Sequence, residues 1–352
     1  MKSMNKLLLS DFLATKQVTV PLMEYLSVNT ERELIDTLGC DFYYLSCRDI
    51  SQNESCLPFY KGPKPECTKT ERKCPLGIRW KRKVFDDKFG VDEVIDGPLM
   101  KDNIEVEDIQ NFRFPKPEWF DFSPLADECN QFKDKIIVGG LWSGIHGDSY
   151  RMMGYENFLI NIAVNRHLIK TLVNRMTDFY LTLNRHYFEV VKGRMDVFFM
   201  GNDFGSQSGL MISLDDWKDI YFNNYKKLID QAHGYDLKVM VHSCGSIEPL
   251  LPFFIELGVD IIDPVQTSAK GMDPVSLVRK YGKDLYFHGA IDTQSVLPFG
   301  STRDVKSHVL EMVSKLNEYQ QYIVVPSNNF MPGTPPQNIK MVYSTIQELN
   351  KQ

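Results

Sequence analysis

The chain has 352 residues, of which 43% are hydrophobic and 24% charged, and its formal net charge is −6. That length allows two average domains or one α/β barrel with an insertion, and the apolar content is enough for a large core. The acidic balance leaves no electrostatic footprint for nucleic acid or an anionic membrane. No apolar run is long enough to span a bilayer, and seven irregularly spaced cysteines are not a disulfide framework.

The opening residues faintly imitate a signal peptide, but Asp11 interrupts their apolar core after three leucines, so a cytoplasmic location is expected. They read as a short helix, and residues 18–23 as an extended segment. Residues 30–38 have helical periodicity and stop at Gly39. Asp41-Phe-Tyr-Tyr-Leu-Ser-Cys47 reads as a strand ending at Arg48-Asp49, a charged pair that can anchor an anionic substrate group or form a surface ion pair. From about residue 50 to 125 regular periodicity is lost. An excursion of this length is usually a lid or docking surface. Its basic cluster Arg79, Lys81, Arg82 and Lys83 looks like half a hairpin with a solvated face, and Cys67 and Cys74 lie too far apart for a common zinc knuckle.

Beyond residue 135 strands and helices alternate. Strands are expected at 135–140, 195–200, 237–242, 259–263, 285–289 and 322–326. Helices are expected at 155–192, 213–234, 247–257, 274–281, 302–318 and from 336. Buried, non-alternating strands separated by helices imply a parallel sheet. A (βα)8 TIM barrel with an irregular N-terminal insertion at about 50–125, spanning 1–352 as one domain, closes that sheet without edges. A doubly wound open sheet is the runner-up, disfavoured because no Gly-x-Gly-x-x-Gly follows the early strands.

In a barrel the strand ends converge. His242 and Cys244 are two apart at the end of a strand, so imidazole and thiol share a face and suit zinc; a buried thiol beside a hydrogen-bonded histidine is the plainer alternative. Asp203, Gln207, Gln266, His288, Asp292 and Asn328 fall at neighbouring strand ends. Each alone is an ordinary turn or cap residue, but together they form a candidate site, with Asp203, His242 and Cys244 catalytic and Arg48 among the substrate-binding residues. No serine-hydrolase elbow, P-loop, HExxH or redox cysteine pair is present, which leaves metal-assisted or acid–base chemistry.

Asn202-Asp-Phe-Gly-Ser-Gln, His242-Ser-Cys-Gly, Asp263-Pro-Val-Gln, Gly289-Ala-Ile-Asp-Thr-Gln and Thr334-Pro-Pro-Gln-Asn-Ile resemble the uroporphyrinogen decarboxylase superfamily, in particular its cobalamin-dependent methyltransferase branch. The match is dense from Gly201 onward and loose before it. The resemblance implies a (βα)8 barrel with its pocket at the carboxyl face. It also implies zinc held by His242, Cys244 and a distal cysteine, a methyl-corrinoid supplied by a partner protein, and a small thiol or tetrahydrofolate acceptor. The distal position falls at about Asn328, so either another residue completes the sphere, with Asp203 or Glu54 as candidates, or the site is metal-free. The arginine-rich loop and the Phe-Ser-Asp-Ile-type motif of the decarboxylases are missing, which argues against porphyrinogens as substrates. The competing functions are a lyase or decarboxylase, with Arg48 holding a small carboxylate and Asp203 protonating the product carbon, and a non-catalytic ligand- or partner-binding barrel.

Overall fold

Short apolar runs from Ile136 onward form parallel strands because each is followed by a helix that returns the chain to the same end of the sheet. A computed structural model describes residues 7–10, 16–51, 56–68, 70–84 and 90–351. In chain order the strands are β1 (Leu8–Leu9), β2 (Phe42–Tyr44), β3 (Glu71–Lys73), β4 (Arg79–Val84), β5 (Gly90–Asp96), β6 (Ile136–Trp142), β7 (Val197–Gly201), β8 (Lys238–His242), β9 (Ile261–Val265), β10 (Tyr286–Ile291) and β11 (Tyr322–Pro326). Eight of them pair in parallel in the order β1-β11-β10-β9-β8-β7-β6-β2. The seam between β1 and β2 is held by Asp41: its N–H donates to the Leu9 carbonyl (2.8 Å) and its Oδ2 accepts from the Leu9 N–H (2.9 Å). The expected (βα)8 barrel is therefore present.

The barrel interior is apolar at one level and polar at the next. Phe42, Val138, Val197, Met240, Ile261 and Ile323 pack together inside the ring. One inward position further along, toward the carboxyl ends, stand Ser10, Tyr44, His242, Asp263 and His288, all buried. Outside, the helix Arg166–Val191 buries Leu168, Leu172, Met176, Tyr180, Leu183 and Tyr187, the helical spacing of a core-facing stripe.

Three expectations give way. Residues 18–23 belong to the helix Lys16–Leu26, where Val18 and Leu22 are buried one turn apart. Their Val-Thr-Val-Pro composition reads as extended, but tertiary packing of that stripe outweighs the weak propensity. Leu8–Leu9, expected as helix, adds instead to β11. The long helix expected over 155–192 is two, Tyr155–Val164 and Arg166–Val191. The break is at Asn165, which leaves helical φ/ψ and whose side chain caps the second helix on the Leu168 N–H (3.3 Å). A further helix, Gly147–Met153, follows β6.

Within the insertion, β3, β4 and β5 form an antiparallel sheet. Arg79, Lys81 and Lys83 lie on its solvated face and pair with Glu71, Glu93 and Asp96. Trp80 is the buried residue of β4, with Arg72 and Arg151 over its ring at 4.8 and 5.7 Å. Cys67 is exposed and Cys74 buried, so the two do not present thiols to a common ion.

Candidate functional site

The last inward residue of β8 is His242, and the turn after it carries Cys244; the turn after β7 carries Asp203. Register pairs Gly201 with His242 and His242 with Asp263, so the three strand ends are level. Two glycines let the β7 and β8 turns touch. A Cβ on Gly205 would stand 2.4 Å from the Cys244 carbonyl oxygen, and Gly245, at φ +84°, faces the Gly205 backbone. A bond from the Ser246 N–H to the Ser206 carbonyl (2.8 Å) fastens the contact.

This brings ligand-type atoms of Asp203, His242 and Cys244 within 4.8 Å of one another. His242 Nε2 lies 3.4 Å from Asp203 Oδ1 and 3.3 Å from Cys244 Sγ. A tetrahedral zinc ion with bonds of about 2.0–2.3 Å has edges of roughly 3.3–3.8 Å, so the spacing and the mixed N, S, O donor set fit zinc. The orientation also fits: His242 Nδ1 is bound to Asp263 Oδ2 (2.5 Å), which directs Nε2 at the other two donors. Burial disfavours a charged His242, but Cys244, Asp203 and Asp263 together raise its pKa well above the ordinary imidazole value. Burial works against the charge of Asp203, yet His242 and the Cys244 N–H, which donates to Oδ1 (3.0 Å), hold its carboxyl below the usual range. For Asp263 burial is again overcome by the two imidazoles, His288 and His242, and its pKa is held down to about 2.

The other expected residues divide. Asn328, at the place of the family's distal cysteine, does meet the cluster: its Nδ2 lies 3.6 Å from Cys244 Sγ, while its Oδ1 accepts the Asn329 N–H. Gln266 Oε1 accepts the Gly245 N–H (2.9 Å) and so braces the Cys244 turn. Arg48 stands over the Tyr44 ring at 5.9 Å. Gln207 is on the exposed turn after Gly205, where its carbonyl accepts the Lys270 N–H and its side chain makes no bond among the described residues. Two of the expected substrate-binding residues are engaged by the protein itself. Asp292 is a loop cap: its Oδ1 accepts the N–H groups of Gln294, Ser295 and Val296 and the Ser295 hydroxyl, which leaves that oxygen saturated. His288 is fully buried, bonded to Asp263 (2.6 Å) and Tyr44 (3.3 Å). Glu54, a candidate third donor, lies outside the described residues.

Three contributors were not assigned a site role from sequence. Asp263 stood in a quoted motif, and its place as the inward end of an otherwise apolar Ile-Ile-Asp strand was the available signal. Trp142, at φ +65°, lies over Gly201 with its ring 4.9 Å from that of His242 and forms an apolar wall. Arg151, partly buried and paired with Asp148 (3.3 Å), adds positive potential that helps lower the Asp203 pKa. His146, in contrast, turns into an aromatic cluster, with Nδ1 on the Tyr221 hydroxyl (2.6 Å) and a pKa pushed down to about 3 by burial.

No curated protein sequence matches the chain. Among solved structures, a methyltransferase from Methanosarcina mazei superposes over 99% of this chain and 95% of its own, with a TM-score of 0.67 at 15% identity, a likeness of fold. A 3-keto-D-glucoside 4-epimerase from E. coli, in its apo form, aligns with 66% of this chain and 88% of its own at 13% identity and a TM-score of only 0.36. The profile of the family described as Uroporphyrinogen decarboxylase (URO-D) matches residues 89–349. That span is well over half the chain and includes every strand from β6 to β11; the chain belongs to the uroporphyrinogen decarboxylase family.

Proposed function

We propose that this chain is a methyltransferase that moves a methyl group between a methylated corrinoid carried by a partner protein and a small acceptor, a thiol or a tetrahydrofolate, with zinc assisting. The observation that carries this reading is the convergence of Asp203, His242 and Cys244 donor atoms at the mouth of a barrel of this family. The fold shared with the Methanosarcina methyltransferase supports it. His242 through Nε2, Cys244 through Sγ and Asp203 through Oδ1 would hold the ion, with Asp203 replacing the distal cysteine. Bound zinc supplies the Lewis acidity that favours the deprotonated, nucleophilic form of an acceptor. The protein's own groups prepare the place. Asp263 keeps the imidazole turned toward the mouth, the Asn328 amide donates to the Cys244 sulfur, and the Cys244 N–H fixes Asp203. Trp142 gives the acceptor an apolar wall and limits water at the reacting atoms.

An N, S, O set binds zinc more weakly than one with two thiolates. Protein purified without supplement should therefore contain substoichiometric zinc and fill on addition, as read by elemental analysis. Cys244→Ser should abolish uptake, whereas Cys67→Ser, on an exposed loop, should leave it intact. Absence of uptake by the wild-type protein at excess metal would move the reading to metal-free acid–base chemistry on a small carboxylate.

Asp203→Asn is a second check. The amide keeps an oxygen for the Cys244 N–H, and the side chain is 45% exposed, so the melting temperature should change by no more than about 2 °C. Zinc affinity should fall at least about tenfold. A large loss of thermal stability with unchanged affinity would make Asp203 a structural cap.

A further inference from the structure

The polar level of the barrel is one continuous hydrogen-bonded row. Ser10 Oγ lies 3.0 Å from the Tyr44 hydroxyl, and that hydroxyl 3.3 Å from His288 Nε2. His288 Nδ1 lies 2.6 Å from Asp263 Oδ1, and Asp263 Oδ2 2.5 Å from His242 Nδ1. The five residues come from five different parts of the ring: the end of β1, then β2, β10, β9 and β8. Exposure is 8% at His242 and 6% or less at the other four. Aliphatic side chains of the same volume would usually stabilise such a layer at least as well as buried ionic groups do, so stability alone does not account for the row.

The chemistry gives the row a direction. The two oxygens of Asp263 lie one on each imidazole Nδ1, at 2.5 and 2.6 Å, where a carboxylate accepts from an Nδ1–H. His288 then offers Nε2 to the Tyr44 O–H, and the Tyr44 oxygen accepts from Ser10. Ser10 and Tyr44 face each other across the β1/β2 seam, where no ladder joins the described strands.

We propose that Ser10, Tyr44 and His288 form a positioning relay that fixes the Asp263 carboxylate and, through it, the direction of His242 Nε2 toward Cys244 and Asp203, so that the geometry of the site at β8 is coupled to closure of the barrel seam between β1 and β2. The coupling to metal rests on the reading of His242 as a ligand; the orientation of its ring does not. Coupling of this kind is reciprocal, so filling the site tightens the seam and loosening the seam weakens the site.

Tyr44→Phe tests it by removing one hydroxyl. Tyr43→Phe is the control, because that tyrosine is on the same strand but points outward, its hydroxyl on Glu128 (2.9 Å). Zinc affinity is measured by chelator competition, and the His242 imidazole N–H resonances are followed by NMR in the zinc-free protein. Tyr44→Phe should weaken zinc about tenfold and His288→Asn about 10- to 100-fold, the range for outer-sphere partners of a metal-bound histidine. Tyr44→Phe should also shift the His242 resonances, and added zinc should slow amide exchange at Leu9 and Asp41 in the wild-type protein but not in that variant. Tyr43→Phe should match the wild type throughout. If the wild-type protein binds zinc while Tyr44→Phe leaves both affinity and the His242 resonances unmoved, the relay is overturned and the metal reading stands. If the resonances shift in a protein that takes up no zinc, the relay stands and the metal reading fails.

Discussion

Asp263→Asn is expected to destabilise the protein by about 3–5 kcal/mol at neutral pH, the cost of removing one member of a buried ionic cluster. Its carboxylate is 1% exposed and serves two imidazoles at once, at 2.5 and 2.6 Å. An amide offers one oxygen and one donor group where two acceptors are needed, so one imidazole N–H would face another N–H. The sign of the pH dependence follows from the depressed acid: the folded state holds Asp263 at about 2, below its usual 3.8. Its ionisation therefore adds stability above about pH 4, and this is lost as pH falls through about 2. The shift corresponds to about 2 kcal/mol, less than the full loss because the substitution also removes two bonds. Urea denaturation of both proteins from pH 7 to pH 2 should give a difference that is largest at neutral pH and shrinks toward pH 2. A variant as stable as the wild type at pH 7, or a gap that does not change with pH, would contradict the role given to this carboxylate.

Gly245→Ala should harm the site through backbone strain and collision together. The residue is at φ +84°, and the new Cβ would lie 2.6–2.7 Å from the backbone of Gly205 and Ser206. Backbone cannot swing aside as a side-chain tip can. Conformational strain alone costs about 1–3 kcal/mol, and the collision must also push the β7 turn from the β8 turn. Asp203 rides on the first and Cys244 on the second, so their separation should lower zinc affinity by about tenfold or more. Gly209→Ala is the control, since nothing lies within 4 Å of its added Cβ. Chelator competition on both variants gives the comparison, and equal affinities would show that the close approach of the two turns is not needed.

How far these features were legible in the sequence depends on whether the deciding contact was local. Thr30 and Gly39 bracket their helix as read, because a capping box and a left-handed C-cap are local signals. Apart from β1, the barrel strands were visible as short apolar runs. His242 and Cys244 announced themselves by a spacing of two. In contrast, the helix at 16–26 is decided by distant packing partners, and the break at Asn165 by a cap inside an otherwise unbroken helical pattern. Asp292 and His288 carry the residue types of a site, yet one is consumed by its own loop and the other by Asp263 and Tyr44. Asp203 was placed correctly beside the pair, but the glycine contact that puts it there joins residues forty apart. Tyr44 gave no sign at all: only closure of the ring brings β2 opposite β10.

The antiparallel sheet of the insertion presents β4 to solvent along most of its length, and that strand sinks a single indole, Trp80, between two guanidinium groups. Its internal ladder and its attachment are thus of different kinds. The first is a set of backbone bonds together with exposed ion pairs, each of the latter worth little and weakened by salt; the second is apolar, with Leu76 and Ile78 of the β3–β4 turn fully buried in the main core beside Trp80. The ladder amides on the exposed face should therefore exchange faster than those of the parallel strands, which hydrogen exchange followed by mass spectrometry reads. Stability in this chain is consequently graded in space. It is expected to be greatest in the packed parallel strands and least along the exposed ladder of the outer sheet.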